Sequence, residues 1–180
     1  MIILVEDNRH QQFVMRYLRR CGLEQHMMRF VPYPAGAGSG EHWVRERFAV
    51  EVEACRRRRA YAETALIVLI DADDLLVQER LAQLDSKLDA AQADRVQPDA
   101  EQIARLVPKR NIETWILCLN GVPVDEETDY KRTRNDWTPL IRSGIGTLYD
   151  WTRPNAQLPA VSSSLRLGVA ELKRLDFRVR

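Results

Sequence analysis

The chain has 180 residues, 45% of them hydrophobic, with 27 basic and 26 acidic side chains and a formal charge of +1. That suffices for one domain with a proper core and room for an appended lobe. It excludes a globally basic nucleic-acid binder, so any surface for a polyanion must be local.

The run Ile2-Ile3-Leu4-Val5 is short and wholly apolar and ends at Glu6-Asp7. It reads as a buried strand. A helix follows, with Asp7 or Asn8 as N-cap, Val14, Leu18 and Cys21 on one face and Gly22 at its end. Residues 28–33 read as a strand that Pro32 confines to an edge or an end. A glycine-rich loop, 34–40, leads into a long helix. Its buried stripe is Trp43 or Val44, Phe48, Val52 and Cys55, and Arg56 to Arg59 close it. Leu66-Ile67-Val68-Leu69-Ile70 is the second apolar run and enters Asp71-Ala72-Asp73-Asp74. Helical spacing returns over 75–91, with Leu81, Leu84 and Leu88. The stretch 94–98 is a polar break, and 100–107 is amphipathic or partly a strand. A helix is predicted over 111–119, because Ile112, Trp115, Ile116 and Leu119 recur at helical spacing. Residues 121–135 read as a polar loop. A helix over 137–151 is expected to break at Gly144 and Gly146. The stretch 154–159 reads as a linker, and 162–175 as a last helix with Leu165, Val169 and Leu172 inward. Strand–helix alternation in the first half predicts an α/β fold with a mostly parallel sheet. Residues 1–120 form the expected main domain, and 121–180 a helical extension packed on it.

Cys21, Cys55 and Cys118 are odd in number and far apart, which fits free thiols in a reducing cytoplasm. His10, His26 and His42 lack zinc spacing. No apolar run approaches roughly 18 residues, and no charged leader precedes an apolar segment, so neither an anchor nor a signal segment is expected.

Both apolar strands end in acid. Asp71 and Asp73 are two apart, so on an extended backbone they point to one side. Carboxylates held together repel unless a cation sits between them, and Mg²⁺ or Mn²⁺ suits oxygen donors. If the strands are parallel neighbours, Glu6 joins the pair at one sheet edge, where α/β proteins place their sites. Such a cation would polarise a phosphodiester and activate water. The plainer alternative is that each acid caps the helix after its strand.

At these residues the sequence resembles the Toprim fold, the catalytic domain of topoisomerases, primases and OLD-like nucleases. Glu6 matches the glutamate after its first strand, and Asp71-Ala72-Asp73 matches its later Asp-x-Asp. The segment from Lys109 and Arg110 through Glu113 and Trp115 also resembles an Arg-x-x-Glu-x-Trp pattern in bacterial Toprim-like proteins. The likeness covers roughly residues 1–120. One position departs: Asp7 stands where the family usually has glycine. The resemblance implies a nuclease dependent on Mg²⁺ or Mn²⁺, with Glu6, Asp71, Asp73 and Glu113 as site acids and Asp74 as a further metal ligand. Lys109 and Arg110 would contact substrate phosphates. It also implies work beside an ATPase partner in anti-phage defence. A homo-oligomer is a second way for a near-neutral chain to hold nucleic acid. A catalytically inactive assembly or sensor subunit is the non-enzymatic alternative.

The opening strand and Glu6-Asp7 are also similar to a response-regulator receiver domain, with Asp71 as phosphoacceptor and Lys109 as its lysine. Its spacing fits poorly. Gly36, Gly38 and Gly40 form a flexible loop or a lip over a polyanion site; no Gly-Lys-Ser/Thr follows to make a P-loop. Arg56 to Arg59 suit a helix C-terminus and could also meet phosphates. Lys131, Arg132 and Arg134 stand where they could flank the site. His10 reads as a solvated helix-face residue, with proton transfer as its alternative role. Glu113 also suits a helix's first turn, and Trp115 reads as core.

Overall fold

Four consecutive apolar residues need cover on both faces. Ile2–Val5 (β1) and Leu66–Leu69 (β3) accordingly pair at the centre of a sheet, fully buried. They run parallel, with Ile2 opposite Leu66 and Val5 opposite Leu69. The computed structural model describes residues 1–33 and 39–176. Arg29–Phe30 (β2) flanks β1, and Ile103–Leu106 (β4) flanks β3. The result is a four-stranded, all-parallel sheet in the order β2-β1-β3-β4. The α/β architecture expected from the sequence is present. Gly36 and Gly38 of the glycine-rich loop lie outside the described residues.

Alternation along the strands divides the core into two layers. Ile3, Val5, Ile67, Leu69, Ala104 and Leu106 face one cluster. It is built by α1 (Asn8–Arg20), α4 (Ile112–Leu119), α5 (Thr138–Thr152) and α6 (Ser163–Lys173). Ile2, Leu4, Leu66, Val68 and Ile103 face α2 (Gly40–Arg59) and α3 (Val77–Ala90). Each fully buried aliphatic side chain contributes about 1.5–3 kcal/mol. Ile141, Leu148, Leu165 and Val169 of α5 and α6 share their cluster with the sheet residues Ile3 and Ile67.

Two expectations change here. The predicted strand 28–33 shortens to the two residues of β2. Val31 N–H still donates to Ile3 O at 2.8 Å, but Pro32 has no N–H with which to continue. The predicted break at Gly144 and Gly146 does not occur, for α5 is continuous. A Cβ on Gly144 would stand 3.0 Å from Leu119 Cβ, so this glycine admits the end of α4 instead.

Gly168 has a similar role. A Cβ there would lie 2.1 Å from Trp115 Cη2, and Trp115 is fully buried. Gly168→Ala should therefore destabilise the chain by about 1–3 kcal/mol, although alanine is the better helix former. A urea midpoint equal to or above wild type would show that the ring is not seated there.

α1 follows β1 on one face of the sheet, and α3 follows β3 on the other. The winding reverses between these neighbouring strands. Open α/β sheets place ligands beyond the carboxyl ends at such a switch point.

Candidate metal centre

The β1–β3 register puts the residues just past Val5 and Leu69 side by side. Glu6 Oε1 accepts the backbone N–H of Asp71 at 2.5 Å. Asp7 then starts α1: its Oδ1 accepts the N–H groups of Arg9 and His10 at 2.8 and 3.0 Å, an ordinary N-cap. The cap sets His10 on the inward face of the first turn. Its ring is 1% exposed. Nδ1 lies 2.8 Å from Asp7 Oδ1, and Nε2 lies 3.0 Å from Asp71 Oδ1. Donor atoms of Glu6, His10 and Asp71 all fall within 4.8 Å of one another. The solvated histidine expected from the sequence is corrected to a buried one at the centre. Its one sequence signal is its place on the helical stripe of Val14 and Tyr17, which does not tell a buried histidine from an aliphatic position.

Asp71 is wholly buried and held on several sides. Arg80 Nε donates to its carbonyl oxygen at 2.9 Å, and Arg80 also pairs with Glu41 and, at 3.3 Å, with Asp73. Arg80 is 3% exposed, and its place on the stripe of Leu84 and Leu88 was its only sequence signal. Buried Asp71 Oδ2 has no hydrogen bond of good geometry, and the Lys131 ammonium stands 3.4 Å away. Lys131 also lies 3.5 Å from Asp73 Oδ1. Asp71 and Asp73 thus converge on one cation of the chain itself. Asp73 is nevertheless outside the tight donor group, because its backbone has left the strand for φ 53°. Arg110, at φ 69°, forms an isolated bridge with it.

The remaining predicted residues separate. Asp74 is not at the centre: its side chain is exposed and pairs with Arg110 at the rim. Lys109 Nζ lies 3.6 Å from Glu127. Glu113 is fully buried and pairs with Arg9, while its Oε2 has no hydrogen-bond partner. It is near enough to feel Asp71 and His10 electrostatically. Arg9, which no motif singles out, also lies over the Trp137 ring, 5.7 Å from its centroid. Lys131 is carried by a loop that Asp129 holds. The Asp129 carboxylate accepts from Asn111 Nδ2 at 2.8 Å and from Lys131 N–H at 2.9 Å.

Charge tunes the centre. Burial, joined by the Asp71 carboxylate, pushes Glu6 from an ordinary 4.5 up to about 8 against the pull of His10. Burial alone would lower His10, but Asp71, Asp7 and Glu6 outweigh it and hold the imidazole well above its usual value. Burial would raise Asp7, yet its bonds to His10 bring it below the carboxylate range. Burial likewise would lower Lys131, and Asp71 and Asp73 reverse this. Glu6 and His10 therefore bind protons more tightly when folded. Their contribution is complete at low pH and fades as pH rises through their folded values. Asp7 acts in the opposite sense, its share being lost only in acid. The unfolding temperature in chelator should fall from about pH 5.5 to about pH 8.5, and Glu6→Gln should flatten that fall. A rise over this window in the wild type would contradict the assigned shifts.

The donor set is two carboxylates and an imidazole, with buried oxygens of Asp71 and Glu113 lacking hydrogen bonds. Such donors fit a hard or borderline divalent ion. Comparison with protein-family models, characterised proteins and solved structures finds no match. Among the described residues, no helix is long and apolar enough to cross a membrane.

Proposed function

We propose that the chain is a metal-dependent phosphodiesterase that hydrolyses nucleic acid. The observation that supports this is the meeting of Glu6 and Asp71, from two adjacent strand ends, with His10 of α1, within 4.8 Å at the sheet's switch point. Bound Mg²⁺ or Mn²⁺ would polarise a phosphoryl oxygen and lower the pKa of a ligated water. Glu6 and Asp71 would hold it, with Asp73 beside them. As a ligand Glu6 would be a carboxylate, so the proton for a leaving oxygen would come from metal-bound water. Lys131 is close enough to the acids to steady charge on the phosphate. Arg132 and Arg134 are exposed in the same loop, which also carries Asp125, Glu126, Glu127 and Asp129. Arg110 stands at the rim as a further phosphate contact. The proposal extends to an ATPase partner or a second copy of the chain that holds substrate, and to a role in anti-phage defence.

A second reading is an assembly or sensor subunit whose acids no longer act. One observation favours it: the chain's own His10 and Lys131 already pair with both oxygens of Asp71. A third reading, the receiver-like switch, keeps Asp71 and Lys109 as its pair, with Lys109 Nζ 3.6 Å from Glu127. One experiment separates the first two. Labelled DNA and RNA are incubated with purified chain and Mg²⁺ or Mn²⁺, with and without EDTA. Cleavage that EDTA stops and Glu6→Gln removes supports the phosphodiesterase. Intact substrate under every metal condition favours the assembly subunit.

A further inference from the structure

We infer that His10 Nε2 is a ligand of the divalent ion, aimed by Asp7, and that the centre consequently prefers Mn²⁺ to Mg²⁺. This rests on the metal-dependent reading above and specifies its metal. Asp7 Oδ1 is fixed by two backbone N–H groups at the start of α1. It lies 2.8 Å from His10 Nδ1. The carboxylate therefore accepts a hydrogen bond from Nδ1–H, which leaves Nε2 to face the acids. A carboxylate behind one ring nitrogen and a metal before the other is the arrangement that orients and strengthens histidine ligands.

One distance agrees. Cis donors of an octahedral ion with bonds of about 2.1 Å stand about 3 Å apart, and His10 Nε2 is 3.0 Å from Asp71 Oδ1. Glu6 completes the tight group. Glu113 is wholly buried with its Oε2 lacking a hydrogen bond, and it is close enough to feel Asp71. The proton between His10 Nε2 and Asp71 Oδ1 leaves to solvent, and the cation takes its place. Mg²⁺ favours oxygen donors and retained waters. Imidazole favours transition ions, and Mn²⁺ accepts both kinds of donor.

The test uses the full chain and Mn²⁺ itself. Binding is read from loss of the free-ion electron paramagnetic resonance signal, with Mg²⁺ as competitor. Electron spin echo envelope modulation of the bound ion then reports nitrogen coupling. Wild type should bind Mn²⁺ at least about tenfold more tightly than Mg²⁺. It should show nitrogen modulation that changes with ¹⁵N-histidine. His10→Gln should abolish the modulation and most of the preference. Asp7→Asn should weaken Mn²⁺ binding by about 10–100-fold while modulation persists. Circular dichroism checks that each variant is folded. Bound Mn²⁺ without nitrogen modulation, or modulation unchanged in folded His10→Gln, overturns the ligand assignment while leaving Mg²⁺-dependent cleavage possible. Nitrogen-coupled Mn²⁺ in a chain that cleaves nothing supports the assignment and overturns only the nuclease reading.

Discussion

Under the proposed phosphodiesterase activity, Asp71→Asn is expected to reduce nucleic-acid cleavage at least about a thousandfold, equivalent to about 4 kcal/mol in the barrier. Asp71 is the acid on which the centre converges. Its backbone N–H is taken by Glu6, its Oδ1 by His10 and its carbonyl by Arg80, while Oδ2 faces Lys131. The amide keeps the volume and removes the charge. His10 and Lys131 are then left with weaker counter-charge, and a metal loses an anionic donor. Asp74→Asn is the matched control. That acid is exposed and, among the described residues, pairs with Arg110 at the rim, so cleavage should change by no more than about threefold. Single-turnover rates on one labelled substrate provide the comparison. Equal losses in the two variants would show that the chemistry is not centred on Asp71.

Trp115→Ala should cost about 3–5 kcal/mol of stability, a large share of the 5–15 kcal/mol typical of a domain. The indole is fully buried and sits against Gly168, so truncation leaves a void between α4 and α6. Its Nε1–H donates to Ser164 Oγ at 2.7 Å, and Ser164 is itself buried, so a polar group loses its partner as well. Trp115→Phe keeps much of the volume and should lose less. Urea unfolding followed by far-UV circular dichroism measures both. A loss below about 1 kcal/mol for alanine would mean that α6 docks without this ring.

The parts of the fold legible in the sequence were those written in strong periods. Two all-apolar runs announced the central strands, and recurrent leucines and valines announced the helices. The acids at the strand ends were legible because a strand terminus fixes where the next side chains go. What failed was polarity on an apolar face. His10 and Arg80 occupy stripe positions that hydrophobic patterning assigns to aliphatics, and burial there is set by partners over 60 residues away or on another helix. Asp74 failed for a different reason. Its place came from adjacency to the Asp-x-Asp pair alone, and on the folded chain it is exposed and pairs with Arg110, while Asp73 itself adopts φ 53°. The pairing of Lys131 with Asp71 depends on how Asp129 holds a loop without regular structure, and no periodicity encodes that.

The packing of Gly40 has a consequence for distance. A Cβ there would lie 2.4 Å from the carbonyl oxygen of Glu6, so α2 starts against the acids. The helix is 20 residues long, about 30 Å at 1.5 Å per residue, and its four arginines occupy the far end. α2 is thus a ruler between the acids and a cationic tip. Of that tip, Arg56 is already paired with Glu53 and Glu101, which leaves Arg57, Arg58 and Arg59 as its exposed charges.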